Sequence, residues 1–229
     1  MRNVFKLFMT ACLLVSVAMT GVAQKDYSKS EGLLKYVDPY IGSGFHGHVF
    51  VGTSVPYGMV QVGPNNIHKG WDWCSGYHYS DSILIGFSQT HLNGTGCTDL
   101  GDIMIMPMNE IRTERGKQSD ISNGYASKYS HENEIARPEY YSLLVERYNI
   151  KAEMTATDRV GFHRYTYPAG KPASILVNLH EGNSYTKAKM CYVRKVDDYT
   201  IEGYRYSHDW SPNRKVYFVL KADQKITDF

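Results

Sequence analysis

Seven β-rich segments in close succession constrain this chain more than any other feature. From about Tyr125 the sequence runs through "YYSLLVERY", "IKAEMTAT", "VGFHRYTY", "ASILVNL", "AKMCYVRKV", "YTIEGYRY" and "KVYFVLKA". Each is enriched in β-branched and aromatic residues, and turn signals such as "PAGKP" separate several of them. In "IKAEMTAT", the residues Ile150, Ala152, Met154 and Ala156 alternate and so share one face. Repeated strands with no helical period between them predict an all-β fold, an antiparallel β-sandwich. The final strand runs almost to Phe229. A sandwich ending there leaves an unpaired edge, which is a liability, so the sequence suggests a fragment.

Upstream, from Leu33 to about Gly116, the texture differs. Short apolar runs, "GMVQV", "SILIGF" and "DIMIMPM", read as strands carrying long, chemically rich loops. Three loops stand out: "GFHGH" at 44–48, "WDWCSGYH" at 71–78 and "SQTHLNGTGCTDLGD" at 88–102. The first lies within "GSGFHG", a literal G-x-G-x-x-G from Gly42 to Gly47. A dinucleotide turn must open a helix, whose N-terminus holds the pyrophosphate. The following "HVFVGTSVPYGMV" is poor helix material, with four valines, a threonine and Pro56. The glycines are expected instead to shape a tight loop that presents Phe45, His46 and His48.

His46 and His48 sit two apart and could face one way on a strand, and Asp99 and Asp102 could complete a site. No strong metal-ligand spacing accompanies them, and packing is the plainer use of these histidines. No metal site is expected in the chain. Asp72, Asp99 and Asp102 could supply a glycosidase carboxylate pair, but such a pair needs a set separation and one raised pKa. Loop-structuring aspartates are the alternative.

Composition narrows the class. Residues 1–23 have a basic head (Arg2, Lys6), an apolar run, and Gly21 and Ala23 at the positions a signal peptidase reads. Cleavage leaves 229 − 23 = 206 residues, with 24–35 as a flexible segment and the sandwich at 36–229. It also lowers the basic count from 25 to 23, equal to the 23 acids. No Lys/Arg cluster appears, so no nucleic-acid partner is expected, and no membrane span after cleavage. Three cysteines remain, Cys74, Cys97 and Cys191, and spacing cannot choose a pair. The nineteen tyrosines and three tryptophans suit sugars, whose C–H faces pack on flat aromatic rings.

Taken together, the loops resemble a known family. "YVDPYIGSGFHGHVFVGTSVPYGMVQVGP", "GWDWCSGYHYSDSILIGFSQTHLNGTGCTDLGDIMIMP" and "DRVGFHRYTYP" look like signature blocks of glycoside hydrolase family 92. The resemblance runs from Tyr36 to about Phe218. Members are exported, calcium-dependent, inverting exo-α-mannosidases, mostly from bacteria such as the Bacteroidetes. The resemblance implies an N-terminal sandwich paired with a larger C-terminal (α/α)6 barrel that carries the acid, the base and most calcium contacts. It implies α-mannoside glycans as substrates and a location in the periplasm or on the outer surface of a Gram-negative cell.

The positions matching the family pattern are Gly44, Phe45, His46, Trp71, Trp73 and the "HLNGTG" loop with His91, and Asp99 follows that loop. These are the expected substrate-binding residues. Trp71 or Trp73 would offer the aromatic face, with His46 and Asp99 as hydroxyl contacts or loop braces. No catalytic residue and no bound calcium are expected in this chain alone, which should be inactive. A stand-alone carbohydrate-binding module and a small complete glycosidase using Asp72, Asp99 and Asp102 are the alternatives. The fragment reading also predicts an exposed apolar and aromatic face. The "NLHEGNSY" segment around Glu181 departs from the family pattern.

Overall fold

A computed structural model describes residues 32–183 and 187–229. The expected signal peptide (1–23) and most of the expected flexible segment lie outside the described residues. Gly32–Tyr36 forms a single 3-10 turn belonging to a unit of its own. The second unit, 37–229, is built from strands.

Its first sheet pairs β1 (Gly63–Asn66), β2 (Ile83–Ser88), β3 (Met104–Met108) and β9 (Ser174–Asn178) in that order, with β4 (Ser127–Lys128) also on β2. The second runs β5 (Glu134–Arg137), β6 (Tyr140–Val145), β7 (Ile150–Ala156) and β8 (Gly161–Thr166). The third holds β10 (Met190–Asp197), β11 (Thr200–Ser207) and β12 (Arg214–Lys221). Every pairing is antiparallel. The all-β expectation therefore holds, and the sheets are those of a sandwich.

The first two sheets share one core. Leu84 and Phe87 of β2 and Met104 and Met106 of β3 cluster with Tyr141 and Leu143 of β6 and Ile150, Ala152 and Met154 of β7. Phe87 meets Tyr141 edge to face at 6.5 Å. Burying a side chain such as Phe87 contributes roughly 1.5–3 kcal/mol. The alternation read in β7 is realised, since Ile150, Ala152 and Met154 are buried and Ala156 packs against the same core. One carboxylate lies inside this layer. Glu134 accepts hydrogen bonds from the Tyr141 hydroxyl at 2.6 Å and the Tyr77 hydroxyl at 3.1 Å, with His131 Nδ1 at 2.6 Å.

Near the N-terminus the sequence is less faithful to the fold. "GMVQV" makes only the Thr53–Val62 bridge, and the ladder starts beside it at Gly63. The run is drawn into loop contacts instead: Met59 N–H donates to the Asp158 carbonyl and Gln61 N–H to that of Gln89.

The third sheet has two unlike faces. Toward the protein, Ile201, Arg205 and Ser207 of β11 are buried. On the other face a tyrosine ladder forms. Tyr192 stacks on Tyr204 at 5.6 Å and Tyr204 on Tyr206 at 4.5 Å, and the Tyr206 and Tyr217 hydroxyls are 2.6 Å apart. Tyr192 and Tyr217 are exposed there, as are Met190 and Val219.

Candidate functional site

The glycine loop is a compact knot. Ser43 N–H donates to the Tyr40 carbonyl, and Val49 N–H closes the loop onto the Gly42 carbonyl at 3.1 Å. Gly42 adopts φ +84°, and a Cβ on Gly47 would stand 2.0 Å from the Gly42 oxygen. No helix follows, so this is not a phosphate turn. Phe45 and His48 both take positive φ, 49° and 54°. Such backbone costs about 1–2 kcal/mol per non-glycine residue, and it clusters where loops are held for a purpose. Its effect here is to send Phe45 outward, 89% exposed, while His48 turns in.

Trp71 is where the three loops meet. It opens a 3-10 turn, Trp71–Trp73, and stays 56% exposed. Its Nε1–H donates to the Gly96 carbonyl at 2.9 Å. The His48 ring meets it edge-on at 4.2 Å, and the His46 ring lies 5.3 Å away. Nδ1 of His46 sits 2.5 Å from Oδ1 of Asp72, and that hydrogen bond holds the Asp72 carboxyl below the usual carboxylate range. Gly94 N–H donates to the His48 carbonyl at 2.8 Å, which fixes the "HLNGTG" loop against the knot. Gly44, Phe45, His46 and Trp71 therefore belong to one exposed neighbourhood.

The other expected contacts are placed differently. Trp73 stacks on His78 at 4.4 Å and donates Nε1–H to Asp81 at 2.9 Å, which makes it a brace inside the turn. His91 is buried, stacked on Phe50 at 5.3 Å, with Nδ1 2.8 Å from the Gln61 carbonyl. Burial lowers its pKa to about 4, so the ring is neutral at pH 7. Asp99 is buried as well. It pairs with Arg214 and accepts from the Ser211 and Leu100 N–H groups.

A cleft of about 480 Å³ opens beside Trp71, with His68, Cys97, Thr98, Asp209 and Trp210 among its lining residues. Asp209 and Trp210 come from the β11–β12 connection and were not singled out from the sequence. The signal was available: "SHDWSPN" places an indole in a polar turn, where an apolar core offers it no use.

A protein-family model described as the glycosyl hydrolase family 92 N-terminal domain matches residues 36–229. The chain belongs to glycosyl hydrolase family 92. Among solved structures, this family 92 chain is similar to the GH92 α-mannosidase from Bacteroides thetaiotaomicron in complex with mannoimidazole. The TM-score is 0.83 at 38% identity, covering 86% of this chain and 26% of that one. A second GH92 glycosyl hydrolase structure matches at TM-score 0.68 and 26% identity, covering 81% of this chain and 26% of that one. A curated relative from Arthroderma benhamiae, described as an uncharacterized secreted glycosidase, is 30% identical over 154 residues, 64% of this chain and 20% of its own length. The chain thus spans about a quarter of the solved structures and a fifth of that relative.

The three aspartates considered for a carboxylate pair in this family 92 chain, Asp72, Asp99 and Asp102, are already committed. Asp102 pairs with Arg205 at 2.5 Å and Arg214 at 3.2 Å and accepts from the Thr90 hydroxyl at 2.9 Å. Asp99 pairs with Arg214, and Asp72 with His46. The oxygens of Asp99 and Asp102 are thus occupied by internal partners rather than presented to a cleft. Among the described residues, no group of three or more His, Cys, Asp or Glu side chains could hold a metal ion. Among the described residues no helix is long and apolar enough to cross a membrane, and Cys74, Cys97 and Cys191 are free thiols.

Proposed function

We propose that this chain is the N-terminal sandwich of a secreted, calcium-dependent, inverting exo-α-mannosidase. Its task is enclosure: the knot at 42–48, the Trp71 turn and the 91–97 loop close one side of the mannose pocket. The general acid, the general base and the calcium ligands belong to a C-terminal (α/α)6 barrel. The carrying observation is Trp71, half exposed yet held in its own turn by contacts from two other loops. A rigid aromatic face positions a sugar and excludes water, and both raise rate only where catalytic carboxylates are also present. The commitment of Asp72, Asp99 and Asp102 to internal partners supports placing proton transfer elsewhere. The exposed tyrosine face of the third sheet supports a neighbouring domain. The signal-like N-terminus and the secreted relative support export, to the periplasm or outer surface of a Gram-negative bacterium such as a member of the Bacteroidetes.

The test has two arms. The 229-residue chain alone should release no nitrophenol from an aryl α-mannoside. Substituted for the matching segment of the Bacteroides α-mannosidase, it should restore calcium-dependent hydrolysis, whereas the same chimera carrying Trp71→Ala should be impaired. Turnover by the chain alone would end the proposal. The cleft beside Trp71 also favours a second reading, a stand-alone carbohydrate-binding module. Micromolar affinity for mannobiose by calorimetry would select it.

A further inference from the structure

His131 faces an acceptor at each ring nitrogen. Nδ1 lies 2.6 Å from the Glu134 carboxylate, and Nε2 lies 2.6 Å from the Tyr79 carbonyl. A neutral imidazole carries one N–H and cannot donate to both. The proton between Nδ1 and Glu134 belongs on the imidazole, the stronger base. The ring is therefore an imidazolium, with one proton on each nitrogen. His78, nearby, shows the opposite pattern. Its Nδ1 accepts from the Ser80 N–H at 3.2 Å, which leaves Nε2–H to donate to the Phe45 carbonyl at 3.2 Å. A neutral ring satisfies both of those partners.

His131 stands between the core and the glycine knot. It opens the 3-10 turn His131–Asn133, which Ser130 caps by accepting from the Glu132 N–H. On the core side is the buried Glu134 of β5, which also receives the Tyr77 and Tyr141 hydroxyls. On the other side, Tyr79 lies flat on the imidazole at 4.2 Å, and Tyr129, just after β4, meets it edge-on at 5.6 Å. Tyr79 in turn touches the knot. Its N–H donates to the Ser43 carbonyl at 2.9 Å, and its ring meets Tyr40 edge to face at 5.5 Å. One imidazole thus links a buried carboxylate to the loop that begins at Tyr40. Burial pushes the hydroxyls of Tyr40, Tyr77, Tyr129 and Tyr141 up, away from neutral pH.

We propose that His131 is a protonated strut that holds the glycine knot against the core, and that removing its proton loosens the knot. Deprotonation leaves one N–H for two acceptors. The bond to the Glu134 charge is the stronger and keeps it. The bare Nε2 then faces the Tyr79 carbonyl, lone pair against lone pair. Tyr79 moves away, and Ser43, tied to its N–H, follows. The hydrogen bond to Glu134 raises the His131 pKa above its ordinary 6.5, so the strut is set below that value and released in the alkaline range. The strut governs the shape of the knot, whatever the knot encloses.

The test follows the purified 229-residue chain by NMR and hydrogen exchange from about pH 6 to about pH 9. Nitrogen chemical shifts of His131 should report both ring nitrogens protonated at the acid end. The amides of Val49 and Tyr79, bonded to the Gly42 and Ser43 carbonyls, report the knot, and that of Leu143 in the central strand β6 reports the core. Corrected for intrinsic exchange, protection of Val49 and Tyr79 relative to Leu143 should fall about tenfold or more across this range, the weight of a hydrogen bond from a charged group. In His131→Gln the ratio should stay constant, although His46, His48 and His78 are still present. A neutral His131 at the acid end overturns the inference. So does a constant ratio in the parent, or a ratio that still falls in His131→Gln. Should His131→Gln lose its cooperative melt, the parent decides: the fall must share its midpoint with the His131 titration, and a different midpoint counts against the strut. Failure of these measurements leaves the mannosidase reading intact, because that reading is judged by hydrolysis in the chimera.

Discussion

Arg205 Nη1 lies 2.5 Å from Asp102 Oδ1, and both side chains are buried. Arg205 also donates to the Leu179 carbonyl and the Ser207 hydroxyl, so its guanidinium is closely satisfied. The pair joins β11 to the loop after Trp71's anchor, across the seam between the first and third sheets. Removing one partner leaves an uncompensated buried charge. Asp102→Ala should therefore cost about 3–5 kcal/mol in urea unfolding. The double variant Asp102→Ala with Arg205→Met should cost less than the two single changes added together. A single-variant loss below about 1 kcal/mol, the range of exposed pairs, would show that water reaches the seam.

The glycine knot gives a graded prediction. At Gly47 a methyl group would strike a backbone oxygen 2.0 Å away, and a backbone atom cannot rotate aside. Gly94, by contrast, has φ +73° but open space around it. Gly47→Ala should cost roughly 3 kcal/mol, at the upper end of overpacking. Gly94→Ala should cost about 1 kcal/mol, the strain of left-handed backbone alone. Equal melting shifts for the two would contradict the knot as described.

The contrast between these glycines also indicates what the sequence discloses. Period-two patterning placed Ile150, Ala152 and Met154 on one buried face, because alternation is a local property of one strand. The loops bearing Phe45, His46 and Trp71 were legible from glycine set among aromatic and histidine residues. The use of β1 was not. Its "GPNN" is fully buried because Asn65 accepts from Ser88 and Asn66 from His78, partners brought in only by folding. The same reason hid the inward roles of His91 and Asp99. A histidine or aspartate reads alike whether it meets a sugar or a buried backbone group. Trp210 was missed because its neighbour Trp71 lies far away in sequence, and the contacts of Asp99 and Asp102 with Ser211 and Arg214 that bring the two loops to one cleft form only on folding.

Acid sensitivity should centre on two histidines, His91 and His163, of which His91 is the more buried. The folded pKa of His91 is lowered to about 4 by burial, against an ordinary value of 6.5. Between those values the unfolded chain binds the proton and the folded chain does not. Stability must then fall as pH drops from about 6.5 toward about 4, with a slope approaching 1.4 kcal/mol per pH unit from this residue. Above pH 7 the effect vanishes. Denaturant unfolding at several pH values should show this limb, and His91→Gln should reduce its slope, the remainder coming from His163, whose pKa burial also lowers to about 4. His131 works in the opposite sense. Its hydrogen bond to Glu134 raises its pKa above 6.5, so its contribution is full below that value and is lost as pH rises through the folded value. His131→Gln should remove that decline on the alkaline side.

Thiol reactivity should rank the three cysteines by environment. Cys191 is exposed and Cys97 half-buried, whereas Cys74 is buried with its Sγ–H donating to the Trp71 carbonyl at 2.6 Å. Burial pushes the Cys74 thiol up, and the nearby Cys97 and Asp72 add to the effect by disfavouring a second negative charge. Since the thiolate is the nucleophile, Cys74 is disadvantaged both by access and by ionisation. Iodoacetamide at pH 8, followed by peptide mapping, should modify Cys191 first, Cys97 more slowly and Cys74 only after unfolding. Trp71→Ala leaves the Cys74 bond to the backbone carbonyl formally intact but uncovers the turn, so Cys74 labelling should accelerate in that variant. Rapid labelling of Cys74 in the native parent would mean that the turn beneath Trp71 opens freely, and the rigid aromatic face assigned to it would be lost.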